Sequence, residues 1–142
     1  MAIHFKYSTV KRPDGTSVKT PSIPITLIGK SNQFDSIALI DSGADISAIS
    51  QEFAELLGLD LDKEVDFAYG IGGKVNSIET SVSIIVEKDH EKYYINLPVK
   101  VILGNYDFPM LLGRSGFFDK FVISFDETKE RVSLKKIQVG KF

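Results

Sequence analysis

An aspartate that ends an apolar run is the residue of this chain best placed to do chemistry. Ile37-Ala38-Leu39-Ile40 leads straight into Asp41-Ser42-Gly43-Ala44-Asp45. An acid at the end of a strand buried on both faces loses water. Desolvation favours its protonated form and makes it available for proton transfer. Gly43 permits a tight turn and the close approach of a ligand or a second chain. Ser42 adds a hydroxyl that both donates and accepts. The same residues are also an ordinary turn composition, in which Asp41 would cap local amides. On the local pattern the two readings stand level.

A lone carboxylate is a poor hydrolytic catalyst, because one group must take a proton from water while another gives one. Two adjacent carboxylates that share a proton can do both. The sequence holds no second Asp-Ser-Gly or Asp-Thr-Gly. A two-fold dimer that brings Asp41 from each subunit to its axis would supply the partner.

The glycine-dense segment Tyr69-Gly70-Ile71-Gly72-Gly73 is the second candidate. Lys74 is followed by Val75 rather than by Ser or Thr, and no helix opens there, so the pattern of a phosphate-binding loop is absent. A lid at a hairpin tip fits the glycines, and so does an inert hairpin turn. Other candidates carry less. His4 and His90 are far apart in sequence and show no zinc-ligand spacing. Ser42 has neither a patterned His partner nor a nucleophile elbow. Asp60, Asp62 and Asp66 lack the glycine and closing glutamate of a calcium loop. Tyr93 and Tyr94 read as strand packing.

The elements that must hold these residues read mostly as strands. An opening strand near Phe5 is separated from Ile23–Ile28 by the turn Pro13-Asp14-Gly15. Gly29 to Asn32 turns into the segment from Phe34 to Ile40. From Ser50 to Leu57 the period changes to 3.6, with Ser50 as cap, Glu52 near the positive helix end and Phe53, Leu56 and Leu57 as the apolar stripe. Gly58 stops that helix. Val82, Ile84 and Val86 share one strand face, and Tyr93, Ile95, Leu97, Val99 and Val101 share another, with Lys88-Asp89-His90 turning between them. A second apolar run, Pro109-Met110-Leu111-Leu112, ends at Gly113-Arg114. A helical turn is expected from Ser115 to Phe118. A last hairpin runs from Phe121 to Phe125 and from Val132 to Leu134, and the basic tail from Lys129 to Lys141 reads as the solvated face of a strand. Connections are too short for repeated parallel crossovers, so an all-β class follows.

The 142 residues fit one domain, 1–142, with 43% hydrophobic and 25% charged residues and a net charge of −2. Lys and Arg are dispersed, which argues against nucleic-acid and membrane-surface partners. Without cysteine the chain has no disulfide and no Cys-ligated metal. Met1 to Pro13 show no signal-like apolar region, and no run reaches the roughly 20 residues of a membrane span. The expectation is a soluble, cytoplasmic protein.

Three elements occur in an order that resembles the retropepsin-like, single-domain aspartic peptidases, which include retroviral proteases and cellular relatives. Ala38 to Asp45 is similar to that family's active-site strand and loop. Gly70-Ile71-Gly72-Gly73 is similar to its flap tip, and Leu111-Leu112-Gly113-Arg114 to the segment that supports the active loop. The likeness spans about Ile23 to Phe125. It implies a closed, orthogonal β-barrel with one short helix after the active-site loop and a short helical turn near the C-terminal part. It further implies a homodimer that cuts an extended polypeptide without metal or organic cofactor.

By the same resemblance Asp41 is the catalytic acid and base, and Ser42 bonds across the dimer axis. Gly43 offers its carbonyl to the substrate. Asp45 pairs with Arg114 near the substrate backbone, beside Ala44. Ile71, flanked by Tyr69, Gly70, Gly72 and Gly73, closes over the peptide. Leu112 and Gly113 pack against the loop that bears Asp41. The Ser50–Leu57 helix, Tyr69 in place of a viral glycine and the tail to Phe142 depart from the compact viral pattern. A catalytically silent module for dimerisation or peptide capture is the alternative.

Overall fold

The computed structural model describes residues 1–138. Twelve strands, one α-helix and one 3-10 turn make up its regular structure. The strands are β1 Ala2–Lys6, β2 Ser8–Lys11, β3 Ser17–Thr20, β4 Ser22–Ile28, β5 Gln33–Ile40, β6 Ser47–Ser50, β7 Asp66–Gly70, β8 Gly73–Lys88, β9 Glu91–Ile102, β10 Met110–Leu112, β11 Phe121–Asp126 and β12 Arg131–Lys136. The helix α1 is Gln51–Leu57, and the 3-10 turn is Phe118–Lys120.

Alternating side chains explain the main sheet. Ile23, Ile25 and Leu27 of β4 are buried, as are Val82, Ile84 and Val86 of β8 and Ile95, Leu97, Val99 and Val101 of β9. Each set lies on one face of a strand of period two, so folding turns each face inward. The sheet runs β4-β5-β10-β6-β9-β8-β7, and β4 also pairs with β8. Thr26, Leu27 and Ile28 lie opposite Ile85, Ile84 and Ser83, so six strands close into a ring and β7 stands outside it. A closed ring leaves those six strands no free edge. The all-β class and the barrel both hold.

Two of the ring's pairings are parallel. β5 runs beside β10, with Ile40 level with Leu112, and β6 runs beside β9. The parallel register carries the two apolar runs to the same end of the barrel. There each meets its glycine-bearing loop.

A three-stranded sheet, β1-β12-β11, packs on the barrel through Ile3, Phe5, Phe121, Val132 and Leu134. Its first strand pairs with its last across nearly the whole chain, Ala2 opposite Lys135. The end of the tail expected as strand, residues 139–142, lies outside the described residues.

Three local expectations change. Pro13-Asp14-Gly15 does not join β1 to β4; it caps an additional hairpin, β2–β3. The Asp14 carboxylate accepts from the Thr16 amide and hydroxyl, which close that turn and hold its carboxyl below the usual value. Helix α1 begins at the Ser50 cap and ends at Gly58, whose φ is 71°, as the sequence predicts. Its buried face, however, is Ala54 and Leu57, while Leu56 is exposed. A helix of seven residues can turn only a narrow stripe inward, and Phe53 packs sideways, edge-on to Phe34. The turn expected at Ser115–Phe118 falls at Phe118–Lys120 instead. Gly116 adopts a φ of 88°, and its amide is held by the Asp119 carboxylate, so helical geometry cannot begin before Phe117. Strand β8, which carries Val82, Ile84 and Val86, runs unbroken for 16 residues from Gly73.

Among the described residues no helix is long and apolar enough to cross a membrane.

Candidate active site

Asp41 sits one residue past β5, at the end of the parallel β5–β10 pair. Its amide donates to the Leu112 carbonyl at 3.0 Å, which extends the ladder by one bond and fixes where the loop begins. The loop then closes on itself. Ala44 N–H donates to the Asp41 carbonyl at 3.2 Å, and Gly43 N–H donates to Asp41 Oδ1 at 2.9 Å. That second bond turns the carboxylate and leaves its other oxygen free to accept. The turn reading of Asp41 is therefore satisfied as well, by the same bond that orients the acid.

The complementary loop braces the first. Arg114 N–H donates to the Ala44 carbonyl at 2.9 Å, and Ser115 N–H donates to the Asp45 carbonyl at 2.9 Å. Gly113 passes so close to the first loop that a Cβ on it would lie 2.6 Å from the Ile46 carbonyl carbon and 2.9 Å from the Ala44 oxygen. Only glycine fits that crossing. Its amide donates to the hydroxyl of Ser47, a residue with no exposed surface, at 3.0 Å. Leu112 is fully buried beneath. The expected support of the Asp41 loop by Leu112, Gly113 and Arg114 is thus built largely from backbone bonds.

Arg114 Nη2 donates to Asp45 Oδ1, so the expected pair forms. It forms at the surface, with the side chains 58% and 82% exposed. Asp41 itself is half-buried, and Ser42 and Gly43 are exposed. The full desolvation expected of Asp41 does not occur within one chain, because the loop projects from the end of the strand instead of ending inside the barrel.

Facing this loop is the glycine-rich hairpin. β7 and β8 pair from Asp66–Ser77 to Gly70–Gly73, so Ile71 and Gly72 form a two-residue turn. Ile71 is fully exposed, Tyr69 is 78% exposed, and a Cβ on Gly70, Gly72 or Gly73 would meet nothing within 4 Å. The tip is open to solvent in the single chain. Its place is over a cleft of about 900 Å³ whose floor includes Asp41, Gly43, Ala44 and Asp45. All five residues from Tyr69 to Gly73 line the same cleft. Ser42 does not line it.

The rest of the cleft wall was for the most part not singled out from the sequence. Ile46, Ala48, Ile102 and Phe108 make it apolar beside the already marked Leu111, and Lys100 adds a cation. Tyr106 and Phe108 carried the one usable signal, two aromatics in an otherwise polar loop after Gly104. His4 and His90 are exposed and outside the cleft, as are Asp60, Asp62 and Asp66. A smaller depression of about 410 Å³ beside Lys30, Asp60 and Lys63 shares no residue with this cleft.

The sequence matches no protein-family model, and no curated protein is significantly similar to it. Solved structures do match. A retropepsin-like aspartic protease from Rickettsia conorii aligns over 94% of this chain and 91% of its own, at 21% identity and a TM-score of 0.58. The retroviral protease-like domain of Ddi1 from Leishmania major aligns over 85% of this chain and 96% of its own, at 15% identity and a TM-score of 0.52. The fold is retropepsin-like. At such identities the likeness is one of fold, and residue roles have to be argued from the cleft itself.

Proposed function

We propose that this chain is one subunit of a homodimeric aspartic endopeptidase, in which two Asp41 carboxylates, one from each subunit, activate a water between them. One observation carries the reading. Asp41 is an acid held by a backbone-braced loop on the floor of an apolar cleft, beneath a glycine-tipped hairpin. Asp45 is the other carboxylate of the cleft, and Arg114 already occupies one of its oxygens. The second catalytic carboxylate is therefore best supplied by a second copy.

In this reaction the ionised carboxylate takes a proton from the water as its oxygen attacks the peptide carbonyl carbon. The protonated carboxylate gives its proton to the carbonyl oxygen, and a neutral tetrahedral diol forms. Collapse expels the amine, which takes a proton from one carboxyl group while the other recovers one from the diol. Exposed Ser42 bonds across the axis and fixes the two loops. Gly43 offers its carbonyl to the extended substrate, and Ile71 closes over it as the tip of a flap. The substrate lies as an added strand, bonded through its main chain. No metal or organic cofactor takes part.

The test is a peptide-library digest with wild-type and Asp41→Asn proteins, alone and as exchanged mixtures. Wild type should cleave, and Asp41→Asn should be folded and inactive. In mixtures with demonstrated subunit exchange, activity per wild-type subunit should fall towards zero as the mutant fraction rises. Activity that tracks wild-type concentration and ignores the mutant would overturn the shared dyad. Peptide binding by wild type with no cleavage of any library member would support a silent binding module instead.

A further inference from the structure

We propose that Lys100 gives this cleft a preference for a peptide carrying a carboxylate side chain, an inference that rests on the extended-peptide reading above. Val99 and Val101 are fully buried in the barrel, so alternation along β9 turns Lys100 and Ile102 to the opposite face, where both line the cleft. Asp41, Asp45 and Lys100 are its charged residues, and Lys100 is the one cation. The remainder of the lining is almost wholly apolar or glycine.

The ammonium is held in place but not neutralised. Its Nζ donates to the Phe67 carbonyl of β7 at 3.1 Å, reaching across β8. An ammonium has three protons to donate, and that bond uses one. Glu79 lies directly opposite Lys100 in the β8–β9 ladder. Even so, the ion pairs among the described residues are Lys19–Glu130, Lys63–Asp60 and Arg114–Asp45, and Lys100 belongs to none. The side chain is half-buried and points to the root of the glycine-tipped hairpin. A peptide laid between that hairpin and the Asp41 loop passes the ammonium. A Glu or Asp side chain on that wall would accept its free protons in a setting poorer in water than the open surface, where such a bond is stronger. A Lys or Arg there would meet a like charge and lose its hydration.

The Phe67 bond also gives Lys100 a bracing role between β9 and β7. The two roles separate experimentally, because bracing affects all peptides alike and charge recognition does not. Peptides matched except for one Glu, Gln or Lys, placed in turn at each position, are measured two ways. Binding is measured to the Asp41→Asn protein, and kcat/KM with the protein carrying Asp41. At one position Glu should exceed Gln by roughly five- to tenfold, and Lys should be worst. Lys100→Met should level the series, Lys100→Arg should keep it, and Lys100→Glu should invert it. A Glu-to-Gln ratio unchanged by Lys100→Met in a folded protein overturns the proposal, as does failure of every peptide to bind. Charge-selective binding lost in Lys100→Met, with no cleavage by any variant, would remove the hydrolytic reading and leave this one standing.

Discussion

Ser47→Ala tests how the Asp41 loop is held. The Ser47 hydroxyl accepts the Gly113 amide at 3.0 Å where no water reaches. Removing it leaves a buried N–H without its partner, at a cost of about 1–3 kcal/mol. Gly113 cannot swing away to find another acceptor, because its backbone already crosses Ile46 and Ala44 at the closest distance glycine allows. For a chain of 142 residues, ~2 kcal/mol corresponds to a fall in Tm of about 6–8 °C. The loop should loosen as well, and peptide hydrolysis should drop by roughly ten- to hundredfold as the acid loses its position. Ser50→Ala is the comparison. It removes the helix cap bonded to Phe53 N–H, costs about 1 kcal/mol and touches no part of the Asp41 loop. Scanning calorimetry and peptide kinetics on both variants separate the effects: Ser47→Ala lowers Tm and kcat, whereas Ser50→Ala lowers Tm alone. A Ser47→Ala protein melting within about 1 °C of wild type would refute the reasoning, for it would show that the Gly113 amide is not dependent on that hydroxyl.

Arg114→Ala should cost only about 0–1 kcal/mol, since its pair with Asp45 is exposed and the backbone bonds from Arg114 and Ser115 survive the change. A loss of ~3–5 kcal/mol in urea unfolding would mean that the pair is desolvated, as in a buried interface. Burial holds the phenol of Tyr7 above 10.0, and the hydrogen bond to Glu91 does the same for Tyr93. Both therefore contribute stability that is complete below the unfolded value and lost as pH rises through the folded ones. Urea midpoints should fall in alkali, and Tyr7→Phe with Tyr93→Phe should flatten that fall; an unchanged slope would count against both assignments.

What the sequence disclosed is what backbone geometry constrains locally. Asp41-Ser42-Gly43 and Leu112-Gly113-Arg114 stood out because an apolar strand ending in glycine is a local pattern, and the two do lie side by side. Ser50 and Gly58 marked their helix because caps are local too. The inward faces of β8 and β9 followed from a period of two. Ser47 and Lys100 escaped, since each owes its place to a partner more than thirty residues away. The pairing of Thr26–Ile28 with Ser83–Ile85 closes the barrel and leaves no mark in either segment. The stripe of α1 was misplaced because seven residues are too few for periodicity to choose a face. Residues 139–142 lie outside what the structure describes. Desolvation of Asp41 was inferred from the strand before it, while its actual exposure is set by the loop after it.

The pairing of β1 with β12 has a consequence for the order in which the chain is made. Synthesis delivers Ile3 and Phe5 well before the strand that covers them with Val132 and Leu134. The β8–β9 hairpin can zip as soon as Glu91–Ile102 emerges, because its partners are neighbours in sequence. Strand β1 must wait, unpaired and apolar on one face, until β12 has appeared. That delay makes β1 the segment most open to a wrong partner during birth, including the same strand on a sister chain.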